Sequence, residues 1–169
     1  MQNSEMTFNF NGYRLAWVFG QGTPDLRTEL IRFWMTNNAV PDPYEAWRRS
    51  FEVTCTARDD SGDLVGVSSF YLDRLLTDGL PYCFYRTYVR PDCRIMGLAP
   101  RLFLITFDKL AALYAGETYS PSGIVVVTEN PKLEEAAGLR IIQRCGLERL
   151  GANPQGVSVW RRLFLTNPL

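Results

Sequence analysis

The chain has 169 residues, of which 46% are hydrophobic and 21% charged, and its 18 basic side chains balance 18 acidic ones. This length and composition predict one globular domain over residues 1–169. The balanced charge argues against a nucleic-acid partner, which needs a basic surplus, and the absence of histidine excludes histidine-based triads and the common zinc sites, so that no metal is expected.

Two further features predict a cytoplasmic protein. The four cysteines are scattered without a Cys-x-x-Cys pair, and Cys83 and Cys93 are expected to be buried, inert thiols. Residues 1–10 lack the charged-then-apolar pattern of a signal peptide. Because no apolar run approaches the ~20 residues that a membrane helix needs, no membrane partner is expected.

The first part of the chain predicts a hairpin followed by two helices. Asn11–Gly12 is the signature of a two-residue hairpin turn, and a strand over residues 13–19 follows it. Thr23–Pro24 predicts a helix start, with a hydroxyl N-cap and a proline in the first turn. We expect this helix to end near Asn37 and a short second helix to cover residues 44–49.

The middle of the chain predicts an antiparallel meander. From residue 51 to 58 the apolar side chains recur with a period of two, which is typical of a strand. A turn at residues 59–62 leads to a returning strand over 64–72, and a third long strand covers 82–89.

The last part of the chain predicts a β-α-β crossover and a further helix. A helix over residues 99–115 precedes the β-branched run at 124–127, which is typical of a strand covered on both faces. Strand, helix and strand of this size form a parallel pair. A helix over 133–145, interrupted by a glycine, should stop at Gly146 and lead to a final strand over 157–165. The fold class is therefore α/β (α+β), with a mixed central sheet and helices on both faces.

The most informative motif joins the third meander strand to the following helix: Val-Arg-Pro-Asp-Cys-Arg-Ile-Met-Gly-Leu-Ala, residues 89–99. The first N–H groups of a helix lack intrahelical partners and carry partial positive charge. Gly97 has no Cβ to hinder a ligand, and Arg94 offers a planar charged fork for phosphate. The motif therefore predicts a site for a diphosphate-bearing cofactor.

The spacing Arg-x-x-Gly-x-Ala, at Arg94, Gly97 and Ala99, resembles the acyl-CoA loop of the GCN5-related N-acetyltransferase (GNAT) superfamily. The order of the predicted elements is also similar to that of this acyl-CoA N-acyltransferase-like fold over nearly the whole chain. The resemblance implies an acyl-CoA-dependent N-acyltransferase, which transfers an acetyl group from acetyl-CoA to a primary amine by direct attack in a ternary complex. The co-substrate would be acetyl-CoA or another acyl-CoA.

The resemblance also implies which residues bind the co-substrate. Backbone groups around Tyr88 and Val89 would pair with the pantetheine arm, and Asn130 would contact the same arm. The diphosphate would rest on six consecutive amides, those of Arg94, Ile95, Met96, Gly97, Leu98 and Ala99.

Few side chains are candidates for acid–base chemistry. The amine must lose a proton to a base, and the thioester oxygen needs a donor. Glu129 and Tyr85 are the catalytic candidates, although a solvated loop carboxylate and a core tyrosine are the alternative interpretations. Arg86, in an apolar strand, would either hold an acidic acceptor or pair with Asp73 or Glu52.

The sequence departs from the family pattern at Ile142, where many relatives carry a tyrosine that protonates the CoA thiolate, and at Ile95 and Met96. The alternative function is a non-catalytic module of the same fold that binds CoA or another ligand as a sensor or interaction domain.

The acceptor stays open between a small-molecule amine and a peptide amine. Exchange of the final strand between two copies would give a homodimer.

Overall fold

The computed structural model describes residues 6–95, 97–128 and 130–164. In these ranges it has eight strands and four α-helices, in the order β1 (Met6–Phe10), β2 (Tyr13–Trp17), α1 (Pro24–Thr36), α2 (Pro43–Arg49), β3 (Val53–Arg58), β4 (Leu64–Arg74), β5 (Pro81–Val89), α3 (Leu98–Leu113), β6 (Gly123–Val127), α4 (Ala136–Arg144), β7 (Glu148–Ala152) and β8 (Ser158–Leu163). None of these helices is long and apolar enough to cross a bilayer.

The strands form one mixed sheet in the order β1-β2-β3-β4-β5-β6-β8-β7. Antiparallel registers join β1 to β2, β2 to β3, β3 to β4, β6 to β8 and β7 to β8. The pair β5–β6 is parallel, as the crossover through α3 requires. The predicted mixed sheet with a β-α-β crossover is therefore confirmed.

The chain divides into two compact units, and β4, β5 and α3 each run through both of them. The first unit comprises Met1–Phe70 and Thr87–Thr106, and the second comprises Tyr71–Arg86 and Phe107–Leu169.

Local sequence signals fix the start of the first unit. Asn11 and Gly12 both have positive φ, of 46° and 85°, as a two-residue hairpin turn requires. The Thr23 hydroxyl oxygen accepts a hydrogen bond from the Leu26 N–H at 3.2 Å, and Pro24 occupies the first turn of α1. The predicted hairpin and N-cap are both confirmed.

The first half of α3 packs closely on the sheet of the first unit. Its side chains Leu98, Leu102 and Ile105 are buried in an apolar cluster that includes Val65 and Val89. The approach is close at Gly66, where an added Cβ would lie 3.3 Å from the Leu102 Cδ1 atom. A glycine in β4 therefore allows the helix to reach its position.

A cluster of three hydroxyl groups is buried within the same unit. Thr54, Ser68 and Thr106, on β3, β4 and α3, are each fully buried. The Thr54 and Ser68 hydroxyls are 2.9 Å apart, and each lies 3.2 Å from the Thr106 hydroxyl. Because buried hydroxyls need partners, this cluster fixes the helix against two strands more specifically than apolar contact does.

The second unit is organised around the buried Tyr82. Its hydroxyl donates to the Asp78 carboxylate at 2.8 Å and accepts from the Arg161 guanidinium at 3.2 Å. Burial raises the pKa of Tyr82, whereas the Leu80 N–H and then the Tyr82 hydroxyl lower the pKa of Asp78. Leu75 and Val125 are buried beside the Tyr82 ring. This contact network joins the segment after β4 to β8.

Two predictions for the second unit were wrong in part. The helix predicted from residue 133 begins at Ala136, because Pro131–Glu134 forms a separate 3-10 turn. Gly138 does not interrupt α4 but lets it approach this turn, since an added Cβ would lie 2.5 Å from the Leu133 Cα atom. The predicted stop is confirmed, because Gly146 has φ +74° and its N–H donates to the Gln143 carbonyl at 2.9 Å.

The buried hydroxyl cluster gives a test of this packing. We expect Thr106→Val to lower the free energy of unfolding by about 1–3 kcal/mol, because it removes two hydrogen bonds at nearly constant volume. Urea denaturation with an unchanged slope would measure the loss. The exposed helical substitution Thr36→Val is the control and should change stability by less than about 0.5 kcal/mol. Equal effects of the two substitutions would show that the cluster does not stabilise the fold.

Candidate functional site

The segment between β5 and α3 is a compact loop in the first unit. Pro91–Cys93 forms one 3-10 turn, and the Ile95 N–H then donates to the Cys93 carbonyl at 2.8 Å. The helix begins at Leu98, and the Arg101 N–H donates to the Gly97 carbonyl at 2.9 Å. The loop therefore presents the N-terminus of a 16-residue helix, where the helix dipole favours an anion.

Arg90 holds this loop together. Its Nε donates to the Asp92 carboxylate at 2.7 Å, and its Nη2 donates to the Cys93 Sγ atom at 3.2 Å. The Asp59 carboxylate lies 4.0 Å from the same guanidinium. The hydrogen bond from Arg90 lowers the pKa of Asp92. Sequence reasoning missed this role, although the short spacing from Arg90 to Asp92 was a usable signal.

Arg94 differs from Arg90 because its guanidinium is exposed. Its Nε donates to the Val89 carbonyl at 2.9 Å, and its central carbon lies 5.9 Å from the centroid of the Tyr88 ring. Within the described residues its two terminal nitrogens make no further hydrogen bond. The fork is therefore oriented by one bond and available to an anion.

The backbone conformation at position 97 favours glycine, independently of any ligand. Its φ is +92°, in the left-handed region, and an added Cβ would lie 3.0 Å from the Phe10 Cζ atom. Phe10 therefore occupies the space beside this glycine. The predicted close approach of a ligand to Gly97 remains a prediction.

Among the described residues, no backbone carbonyl accepts a hydrogen bond from the Gly97 or the Ala99 amide. The Ile95 and Arg94 amides donate within the loop, at 2.8 and 3.4 Å, and the Leu98 amide lies 3.4 Å from the Ile95 carbonyl. Proline at position 100 has no N–H. Met96 and Glu129, both predicted site residues, lie outside the described residues.

The end of β5 lies directly before the loop. Val89 is buried, whereas Tyr88 is half-buried and meets the Phe33 ring edge-on, with centroids 5.8 Å apart. The parallel register of β5 with β6 covers Cys83–Tyr85, although β5 continues to Val89. In the described part of the sheet, the last four residues of β5 are therefore outside its parallel register with β6.

The other predicted site residues belong to the second unit. Tyr85 is 7% exposed. The Arg86 guanidinium carbon lies 4.2 Å from the centroid of the Tyr71 ring. Asn130 has a structural function that sequence reasoning missed, because its Oδ1 accepts from the Lys132 N–H at 3.1 Å and caps the 3-10 turn. In the first unit, Glu52 accepts a hydrogen bond from Arg48 at 2.6 Å.

The four cysteines are buried and unbridged. Burial raises the pKa of both Cys55 and Cys83 to about 12, so neither is a thiolate near neutral pH. The described residues contain no group of three or more potential metal ligands.

Comparison of the sequence with protein-family models and with curated proteins finds no match. Solved structures are nevertheless similar in fold. The ribosomal-protein-S5-alanine acetyltransferase from Vibrio fischeri is 11% identical, with a TM-score of 0.65 over 95% of this chain and 97% of that one.

Two other solved structures contain acetyl-CoA. A GNAT superfamily phosphinothricin acetyltransferase from Sinorhizobium meliloti is 18% identical, with a TM-score of 0.63 and coverage of 94% of both chains. A protein from Salmonella typhimurium, with acetyl-CoA as its cofactor, is 16% identical, with a TM-score of 0.62 over 85% of this chain and 92% of that one. These similarities show that the chain has the GNAT acetyltransferase fold.

The packing at Gly97 gives a second test. We expect Gly97→Ala to destabilise the protein more than Gly79→Ala. Both glycines have positive φ, which costs an alanine roughly 1–2 kcal/mol, but an added Cβ at Gly79 meets no atom within 4 Å. Thermal unfolding of the two variants measures the difference. Equal losses would mean that Phe10 moves aside without cost.

Proposed function

We propose that the chain is an acyl-CoA-dependent N-acyltransferase that binds the diphosphate of its co-substrate at the loop between β5 and α3. The proposal rests on one observation: in a chain with the GNAT fold, this loop presents a set of hydrogen-bond donors. The set consists of the exposed Arg94 fork and the Gly97 and Ala99 amides at the N-terminus of α3.

The donor set fits a diphosphate in charge and in geometry. A planar guanidinium binds two phosphate oxygens at once, and amides at a helix N-terminus bind a third in the favourable field of the helix dipole. Ile95 and Met96, where the sequence departs from the family pattern, are uncharged and add no positive charge to the loop. We therefore assign most of the diphosphate affinity to Arg94.

The end of β5 supports the proposed position of the pantetheine arm. The arm contains amide groups, which can pair with backbone like an added strand. Tyr88 and Val89 follow the last β5 residue that is in register with β6. The Val89 carbonyl already accepts the Arg94 Nε, but a carbonyl oxygen has two lone pairs and can accept a second donor. Asn130 is the proposed side-chain contact.

The proposed reaction is acyl transfer from a thioester to a primary amine. When bound, the co-substrate supplies the activated acyl group. The neutral amine attacks the acyl carbon, a C–N bond forms, the C–S bond breaks, and the ammonium proton leaves to a base while the thiolate takes up a proton. Glu129 and Tyr85 are the proposed acid–base groups. Acetyl is the proposed acyl group.

One observation favours a second candidate function, a CoA-binding sensor without catalysis. Ile142 is 5% exposed in α4 and has no group that transfers a proton. It occupies the position where many relatives carry the acid tyrosine. A thiolate is nevertheless a good leaving group, so loss of this acid removes the least demanding part of the chemistry.

Calorimetric titration with acetyl-CoA and with free CoA tests the binding site. We expect both to bind and Arg94→Ala to weaken binding about 10- to 100-fold, since a charge-assisted hydrogen bond is worth about 1.5–3 kcal/mol. Arg32→Ala, which removes an exposed arginine on α1, is the matched control and should leave the affinity unchanged. If the folded parent protein binds neither molecule, or if Arg94→Ala binds as the parent does, the proposed site is wrong.

Release of free thiol from acetyl-CoA in the presence of primary amines separates the enzyme from the sensor. We expect amine-dependent release, and we expect Tyr85→Phe to lower kcat more than tenfold while acetyl-CoA affinity stays constant. Binding without release for every amine would favour the sensor. Unchanged kcat in Tyr85→Phe would leave Tyr85 as a core residue.

A further inference from the structure

We propose that a cavity in the second unit binds the apolar body of the acceptor, so that the substrate is an alkylamine or arylalkylamine rather than a polar amine. This inference rests on the proposed function, because it names the acceptor class of that reaction. The cavity has a volume of about 600 Å³ and is lined entirely by residues of the second unit. That volume lies in the range of small-molecule sites and is too small for a folded partner.

The lining of the cavity is mostly apolar. Phe84, Val127, Leu150 and Val159, from four different strands, line it together with Leu75 and Leu76. The four strand residues are only partly buried, although they pack against the buried cluster of Leu75, Tyr82 and Val125. The core of the second unit therefore presents an accessible apolar surface to the cavity, and an apolar ligand would gain free energy by covering it.

Leu76 is a second and independent sign of an apolar ligand. Its side chain is 91% exposed although it lines the cavity, and Leu72 and Leu80 in the same segment are 58% and 47% exposed. A single exposed leucine is ordinary, but three within nine residues give this segment a high share of exposed apolar side chains, of which Leu76 lines the cavity.

Three of the five polar side chains at the cavity, those of Asp73, Arg74 and Asn153, are bonded in the surrounding turns. Arg74 donates from Nη1 to the Gly79 carbonyl at 2.7 Å, and the Asp73 carboxylate accepts from the Arg74 N–H at 2.7 Å. The Asn153 Oδ1 accepts from the N–H groups of Gln155 and Val157. One acidic and one basic side chain give the rim no net charge. The apolar lining therefore determines the class of ligand.

A stack of side chains connects the cavity to Arg86. The Phe84 ring, which lines the cavity, stacks on Tyr71 with centroids 5.3 Å apart and an interplanar angle of 28°. The Arg86 guanidinium lies over the other member of this pair, Tyr71. Arg86 is thereby in contact with the aromatic pair that reaches the cavity through Phe84.

A series of n-alkylamines from butylamine to octylamine tests the inference, because its members share one reactive group and differ in apolar length. With acetyl-CoA as donor, we expect kcat/KM to rise by up to about fourfold for each methylene that becomes buried. Leu76→Asp should flatten this dependence, since it places a charge at the cavity without disturbing buried packing. Tyr119→Asp is the matched control, because Tyr119 is 96% exposed and does not line the cavity.

The outcomes separate this inference from the proposed function. Turnover that does not depend on chain length, or that Leu76→Asp and Tyr119→Asp change equally, would overturn the cavity assignment while the acyltransferase stands. If no amine is acetylated, calorimetric titration with octylamine tests directly whether the cavity binds an apolar amine. Binding that is lost in Leu76→Asp and kept in Tyr119→Asp supports the apolar site without the reaction, and absence of octylamine binding overturns it.

Discussion

The close packing of α3 on β3 and β4 is the constraint on which the candidate site depends. The position of the loop before α3 is set by where the helix begins, and this in turn is set by how the helix lies on the sheet. Gly66 permits the approach of Leu102, and the buried hydroxyl of Thr106 has both of its partners on these two strands. Apolar contact alone would tolerate small shifts of the helix, whereas directed hydrogen bonds in a dry environment do not.

Arg90 and Arg94, four residues apart in the loop, differ in their hydrogen-bond partners. Arg90 donates hydrogen bonds to Asp92 and to the Cys93 sulfur, and these bonds stabilise the conformation of the loop. Arg94 has one bond to a carbonyl and an exposed fork. A guanidinium paired with a carboxylate attracts a phosphate weakly, because its charge is already compensated. Because Arg90 is paired with an acid, Arg94 is the arginine of this loop that we propose for anion binding.

Local signals made much of the fold predictable, and tertiary contacts account for what was missed. The Asn11–Gly12 turn and the Thr23 N-cap act over two or three residues, so the sequence alone reveals them. Strand β7 was not predicted, because Glu-Arg-Leu-Gly-Ala lacks alternation and forms a strand through its register with β8 and the packing of Leu150. In the candidate site, the spacing predicted the loop between β5 and α3, and the binding role of Arg94 stays a prediction. The capping role of Asn130 was not, because one residue type serves as a cap or as a ligand contact.

The burial of all four cysteines has a practical consequence for studies of this protein in solution. Thiol-directed dyes and spin labels react with accessible thiolates, and the native sulfurs are shielded from them. One cysteine introduced at the protein surface would therefore be modified selectively, with the native four left in place. Distances and local motions within either unit thus become measurable without first constructing a cysteine-free background.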